Sequence, residues 1–78
     1  MPHVIVKMYP GRSAAQKAQL AYAVTEALMQ SLGCKEGAVS VGVEDVAQED
    51  WMAAVYTPDI TEKAETIVKK PGYGPAAG

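Results

Sequence analysis

The residue best suited to chemistry in this 78-residue chain stands second. A methionine followed by a small residue such as proline is normally removed, so Pro2 is expected to carry a free secondary amine. An α-amino group titrates at about 7.7–8.0 even when unperturbed. Desolvation and a nearby cation both lower that value, and a neutral secondary amine at pH 7 is a good general base. Proline also suits the first position of a strand, where it has no ladder N–H to lose. Position alone therefore leaves open a processing or strand-start role. Ten residues on, Arg12 lies in the loop Pro10-Gly11-Arg12-Ser13 at the start of a helix. Helix N-termini favour anions, and Arg grips a carboxylate with two parallel hydrogen bonds. A cation there works against the helix macrodipole, so its placement is mildly unfavourable unless it binds something. The alternative is a solvated surface arginine.

Other catalytic sets are missing. Cys34 is the single cysteine and His3 the single histidine, which leaves no dyad, no disulfide framework and too few soft ligands for a structural zinc. There is no glycine-rich phosphate loop. Glu44, Asp45, Glu49 and Asp50 read as a solvated turn. His3 is expected to point its side chain across a sheet in a structural role, and Met8, Met29 and Met52 read as packing residues.

The elements that must position Pro2 and Arg12 are short. Residues 3 to 9 alternate as a strand, with Val4, Val6 and Met8 on one face and His3, Ile5, Lys7 and Tyr9 on the other. Pro10-Gly11 ends it. Ser13 with Gln16 fits a capping box, and a helix should run from about 14 to 32, burying Ala21, Val24, Leu28 and Leu32 and stopping at Gly33. Val39 to Val43 alternates as a second strand. Strand, long helix, strand is a βαβ unit, so the two strands should be parallel. Ala47 to Trp51 reads as a polar turn and Met52 to Tyr56 as a short strand. Thr57-Pro58-Asp59 has the residues of a helix start, and Ile60, Ala64, Ile67 and Val68 would form that helix's apolar face up to Pro71-Gly72. Tyr73 to Gly78 reads as a tail ordered by a partner, with Tyr73 pinning it to a neighbouring subunit. The whole, residues 1–78, is expected to be one α+β domain.

Composition narrows the class. A net charge of −2 and a pI near 5.2 argue against nucleic acid. No apolar run approaches the length of a membrane span, and no signal peptide is expected, so a cytoplasmic location is the default. A chain of this size buries only about 60% of its unfolded surface and is marginal alone. With disulfides and metal set aside, oligomerisation is the remaining common means of stabilisation, and one helix covers only one face of a βαβ sheet.

Pro2 after Met1, a short strand, Gly11-Arg12-Ser13, the Gln16-Lys17 opening to the helix and then Val39-Ser40-Val41 together resemble the 4-oxalocrotonate tautomerase family over residues 2 to 56. Pro2-His3, Trp51 and the ending Val68-Lys69-Lys70-Pro71-Gly72-Tyr73 resemble its small bacterial branch, associated with phenylpyruvate-like enol tautomerisation. The resemblance implies a β-α-β tautomerase-like fold with parallel strands, a short extra strand and a C-terminal helix, assembled as an oligomer. It implies Pro2 as catalytic base, Arg12 as the binder of a substrate carboxylate and Trp51 as an aromatic wall that keeps the pocket dry. Ser40 stands where several members have a second arginine. That departure favours a monocarboxylate with an apolar end, suited to Trp51 and Tyr9, over a dicarboxylate. Ser40 would then offer one hydrogen bond, or be an ordinary strand residue.

The resulting expectation is an isomerase. Pro2 moves a proton between oxygen and carbon of a small enol or keto acid, with no metal or organic cofactor because only a proton is transferred. The expected assembly is a homo-oligomer, most simply a dimer, given the C-terminal helix and tail. Two alternatives stand beside it. One is a non-catalytic oligomeric binding module. The other is a hydratase or dehalogenase of an unsaturated acid that uses a protonated Pro2.

Overall fold

Strand β1, His3–Met8, and strand β2, Ser40–Asp45, pair in parallel as a two-stranded sheet. Helix α1, Ala14–Leu32, connects them. The computed structural model describes all 78 residues, and they fall into two compact units, Met1–Asp45 and Val46–Gly78. The first unit is the expected βαβ unit.

Local chemistry sets the limits of α1. Ser13 Oγ accepts the Gln16 amide at 3.1 Å, and Gln16 Oε1 accepts the Ser13 amide at 2.9 Å. This reciprocal box satisfies two N–H groups that the first turn cannot pair internally. At the other end Gly33 adopts the left-handed conformation (φ 71°, ψ 17°), and its N–H reaches the Met29 carbonyl at 3.0 Å. Gly11, with φ 125°, makes the turn between β1 and α1 in a region that residues with a Cβ rarely adopt.

The register pairs His3 with Ser40, Val4 with Val41 and so on to Met8 with Asp45. Successive side chains alternate between faces. Val4, Val6, Met8, Val41, Val43 and Asp45 therefore share one face, and His3, Ile5, Lys7, Ser40, Gly42 and Glu44 share the other. Lys17 of α1 holds Asp45 at 2.8 Å, so the helix covers the valine face. No residue of Met1–Asp45 is fully buried. Ile5, on the face α1 leaves open, is 50% exposed. Leu32, expected in the buried stripe, is 64% exposed. The reason is length: 19 helical residues span about 28 Å, whereas six strand residues span about 20 Å. The last turn of α1 outruns its sheet.

The second unit departs most from expectation. Met52 to Tyr56 is not a strand; it opens the π-helical segment Met52–Thr61, with Pro58 inside it. The expected helix start at Thr57-Pro58 is thus a helix interior. An α-helical turn would drive the Pro58 ring into the carbonyl four residues back. The wider π turn accommodates it, and the Glu62 amide bonds the Thr57 carbonyl five residues back at 2.9 Å. The expected C-terminal helix does not continue to Lys70. Lys63 leaves helical geometry (φ −113°, ψ 32°), and a single 3₁₀ turn, Ala64–Thr66, follows. Thr66 Oγ1 donates to the Lys63 carbonyl at 2.8 Å, a local bond of the kind that competes with helix. Val68, expected on an apolar helix face, is 102% exposed. The polar turn at 47–51 does form, as the 3₁₀ turn Gln48–Asp50.

Val55 and Tyr56 are the fully buried residues of the chain. Tyr56 Oη donates to the Tyr73 carbonyl and accepts the Ala76 amide, both at 2.8 Å. Its ring meets Tyr73 edge-on with centroids 5.2 Å apart. The tail is therefore held by its own chain, and Tyr73 needs no neighbouring subunit to be fixed. No helix of the chain is long and apolar enough to cross a membrane.

Candidate functional site

The candidate residues of the first unit gather at two ends of the sheet. Pro2 is half-buried at the head of β1, and its carbonyl accepts the Ser40 amide at 3.2 Å. Next to it, His3 Nδ1 lies 2.6 Å from Ser40 Oγ. Parallel pairing makes this cluster: both strands begin at the same level, so Pro2, His3 and Ser40 meet although 37 residues separate His3 from Ser40. The sequence shows Ser40 only as a strand residue. The bond to His3 follows from register, which a single alternating strand does not reveal.

Arg12 lies at the other end. It is exposed in the turn after β1 and lines an open recess of about 270 Å³ with Met8, Gln16, Lys17 and Leu20. Lys17 commits its charge to Asp45, and the first turn of α1 holds no acid. Arg12 is therefore the cation this recess offers to an anion. The neighbouring helix N-terminus adds to that preference. Tyr9 follows β1 at the same end and is also exposed.

The length of β1 keeps the two clusters apart. From His3 to Met8 the strand advances roughly 17 Å, further than a small keto acid reaches.

Trp51 belongs to the second unit, just ahead of the π-helical segment. It is half-buried, and its Nε1–H donates to Tyr73 Oη at 2.8 Å. Sequence reading missed this bond; an indole and a phenol that both need partners when buried are the signal that could have suggested it. Nowhere does the fold bring together three or more His, Cys, Asp or Glu side chains able to hold a metal ion.

Comparison with known proteins adds to this geometry. The family model described as "Tautomerase enzyme" matches residues 2–57. A "Probable tautomerase" of Xylella fastidiosa (strain 9a5c) is 49% identical over 77 residues, covering 99% of this chain and 94% of that protein. "Tautomerase PptA" of Enterobacter sp. (strain 638) is 39% identical over 74 residues, covering 94% of this chain and 97% of that protein. Among solved structures, YwhB, a homologue of 4-oxalocrotonate tautomerase, superposes with a TM-score of 0.62 at 35% identity, over 69% of this chain and 88% of its own. TomN, a 4-oxalocrotonate tautomerase homologue in the tomaymycin biosynthetic pathway, gives 0.62 at 32% identity, over 83% and 97%.

Proposed function

The chain belongs to the tautomerase family, and from that premise we propose that Pro2 is the general base of a keto–enol isomerase acting on a small 2-keto carboxylic acid. A phenylpyruvate-like monocarboxylate suits the residues best, because Ser40 supplies a hydroxyl and no second cation. In the forward direction the Pro2 nitrogen takes the enol hydroxyl proton and delivers a proton to the adjacent carbon. Bond and charge are conserved, and the product is the keto acid. Arg12 holds the carboxylate through paired N–H···O bonds. Tyr9, at the Arg12 end of β1, supplies apolar surface that excludes water, and the family resemblance assigns Trp51 the same role.

The observation that carries the reading is the setting of Pro2. It begins the matched segment 2–57 and leads β1. Met1, which as long as it remains makes the Pro2 nitrogen an amide, is 103% exposed and open to removal.

The strand length between Pro2 and Arg12 argues for assembly. A substrate that engages both must take its base from one chain and its arginine from another. This agrees with an open sheet face and an unburied βαβ unit, and a homodimer is the simplest arrangement.

Intact mass and enol phenylpyruvate decay, measured on the same preparation, test the proposal. The expected result is that protein without Met1 accelerates loss of the enol and that Pro2→Ala lowers kcat by about 10²–10⁴-fold, the range of general-base catalysis. Equal rates in the wild type and Pro2→Ala would overturn it.

A further inference from the structure

The strand heads carry a side-chain pair that the proton transfer does not use. His3 Nδ1 and Ser40 Oγ are 2.6 Å apart on the sheet face that α1 leaves open. Both residues are exposed. The same Ser40 is bound through its amide to the Pro2 carbonyl. The backbone of the pair is thus tied to the residue that carries the proline amine, and its side chains are exposed.

We propose that His3 is a positioning residue whose ionisation decides whether the Ser40 hydroxyl donates to, or only accepts from, a substrate oxygen held at Pro2. This rests on the reading of Pro2 as the base. A serine hydroxyl has one proton and two lone pairs. In the neutral ring with its proton on Nε2, Nδ1 is a bare acceptor and Ser40 directs its only proton there. Its remaining lone pairs then face the substrate and repel a carboxylate or keto oxygen. In the imidazolium form, Nδ1–H donates to Oγ, and the Ser40 proton is free to point at the substrate. The ring also adds a positive charge behind that donor. From the Nε2–H tautomer, a single protonation converts an acceptor into a charge-backed donor for an anionic substrate.

The other charges near the pair are few. Lys7 and Glu44 lie further along the same face of the two strands. Lys35 and Glu36 precede β2. The Pro2 amine adjoins His3 once Met1 is removed. Lys17 and Glu26 belong to α1, on the opposite face. At these exposed positions water and salt screen the remaining charges, while the direct 2.6 Å bond is not screened.

The experiment measures KM and kcat for enol phenylpyruvate across pH 5–9 in the wild type, His3→Asn, Ser40→Ala and Pro2→Ala, with the His3 ring titration followed by NMR in the first and third. The wild type is expected to show a KM that rises about tenfold as His3 deprotonates, with the same midpoint by NMR. His3→Asn can keep an amide N–H for Ser40 but neither titrates nor carries charge, so its KM is expected to be flat with pH and to lie between the wild-type acid and base values. Ser40→Ala should raise KM about tenfold at the acid end only, remove the step and shift the His3 midpoint. A step that persists in both variants, or a His3 titration that KM ignores, would overturn the proposal. An unimpaired Pro2→Ala kcat would instead overturn the proline as base, and the KM step would still decide the role of His3.

Discussion

Gly74 lies against the Tyr56 ring so closely that a Cβ at position 74 would come within 2.6 Å of Tyr56 Cζ and 2.7 Å of its Oη. Gly74 also has a φ of 73°, where a side chain is strained. Gly74→Ala must therefore displace the tail or the one fully buried tyrosine that holds it. We expect destabilisation of about 2–3 kcal/mol by chemical denaturation, combining strain with two loosened hydrogen bonds. Gly72→Ala, where a Cβ meets nothing within 4 Å, should stay within about 0.5 kcal/mol of the wild type.

The capping box makes a second stability prediction. Ser13→Ala removes the Oγ acceptor of the Gln16 amide, while the backbone N–H that Gln16 Oε1 accepts from remains. A loss of about 1 kcal/mol is expected, read as a lower denaturation midpoint. The cap residue Ser13 directly follows Arg12, so fraying of the first turn of α1 should also raise KM for a carboxylate substrate while kcat changes less.

Arg12 itself should separate binding from folding. It is exposed, so Arg12→Ala is expected to leave stability within about 0.5 kcal/mol. If it holds the carboxylate, KM for enol phenylpyruvate rises about ten- to a hundredfold. Arg12→Lys should fall between, since an ammonium keeps the charge and loses the paired geometry. Steady-state kinetics beside a thermal melt checks all three outcomes.

Assembly should be visible in dilution. Met1–Asp45 holds no fully buried residue, and the proposed second copy would add burial to a unit so thinly covered. Lowering protein concentration through the dissociation range should reduce the melting temperature and the specific activity together. Analytical ultracentrifugation at matched concentrations supplies the third reading, and activity that survives in a monomer would count against a shared site.

Helix α1 was legible to the residue because its signals are local. Ser13, Gln16 and Gly33 act within one turn of themselves, and no distant contact competes with them. The parallel pairing of β1 and β2 followed from the length of the connection. The second unit was not legible, because Met52 to Tyr56 is a short apolar run that suits a buried strand or a buried helix equally. Thr57-Pro58-Asp59 carries the residues of a helix start, and only the wider turn around Pro58 lets the helix pass through it. At the candidate site, the chemistry of Pro2 and Arg12 is readable from residue type. What linear sequence hides is that a six-residue strand sets them at opposite ends of one sheet, and that register lays Ser40 against His3.

That separation has a genetic consequence. If the site is shared between two chains, as proposed, two defective copies can repair each other. A chain with Pro2→Ala still carries a sound Arg12, and a chain with Arg12→Ala still carries a sound Pro2. In a mixed dimer with a twofold axis, one site unites both lesions and the other unites both intact residues. Random reassortment of two nearly inactive proteins should therefore restore about a quarter of wild-type turnover.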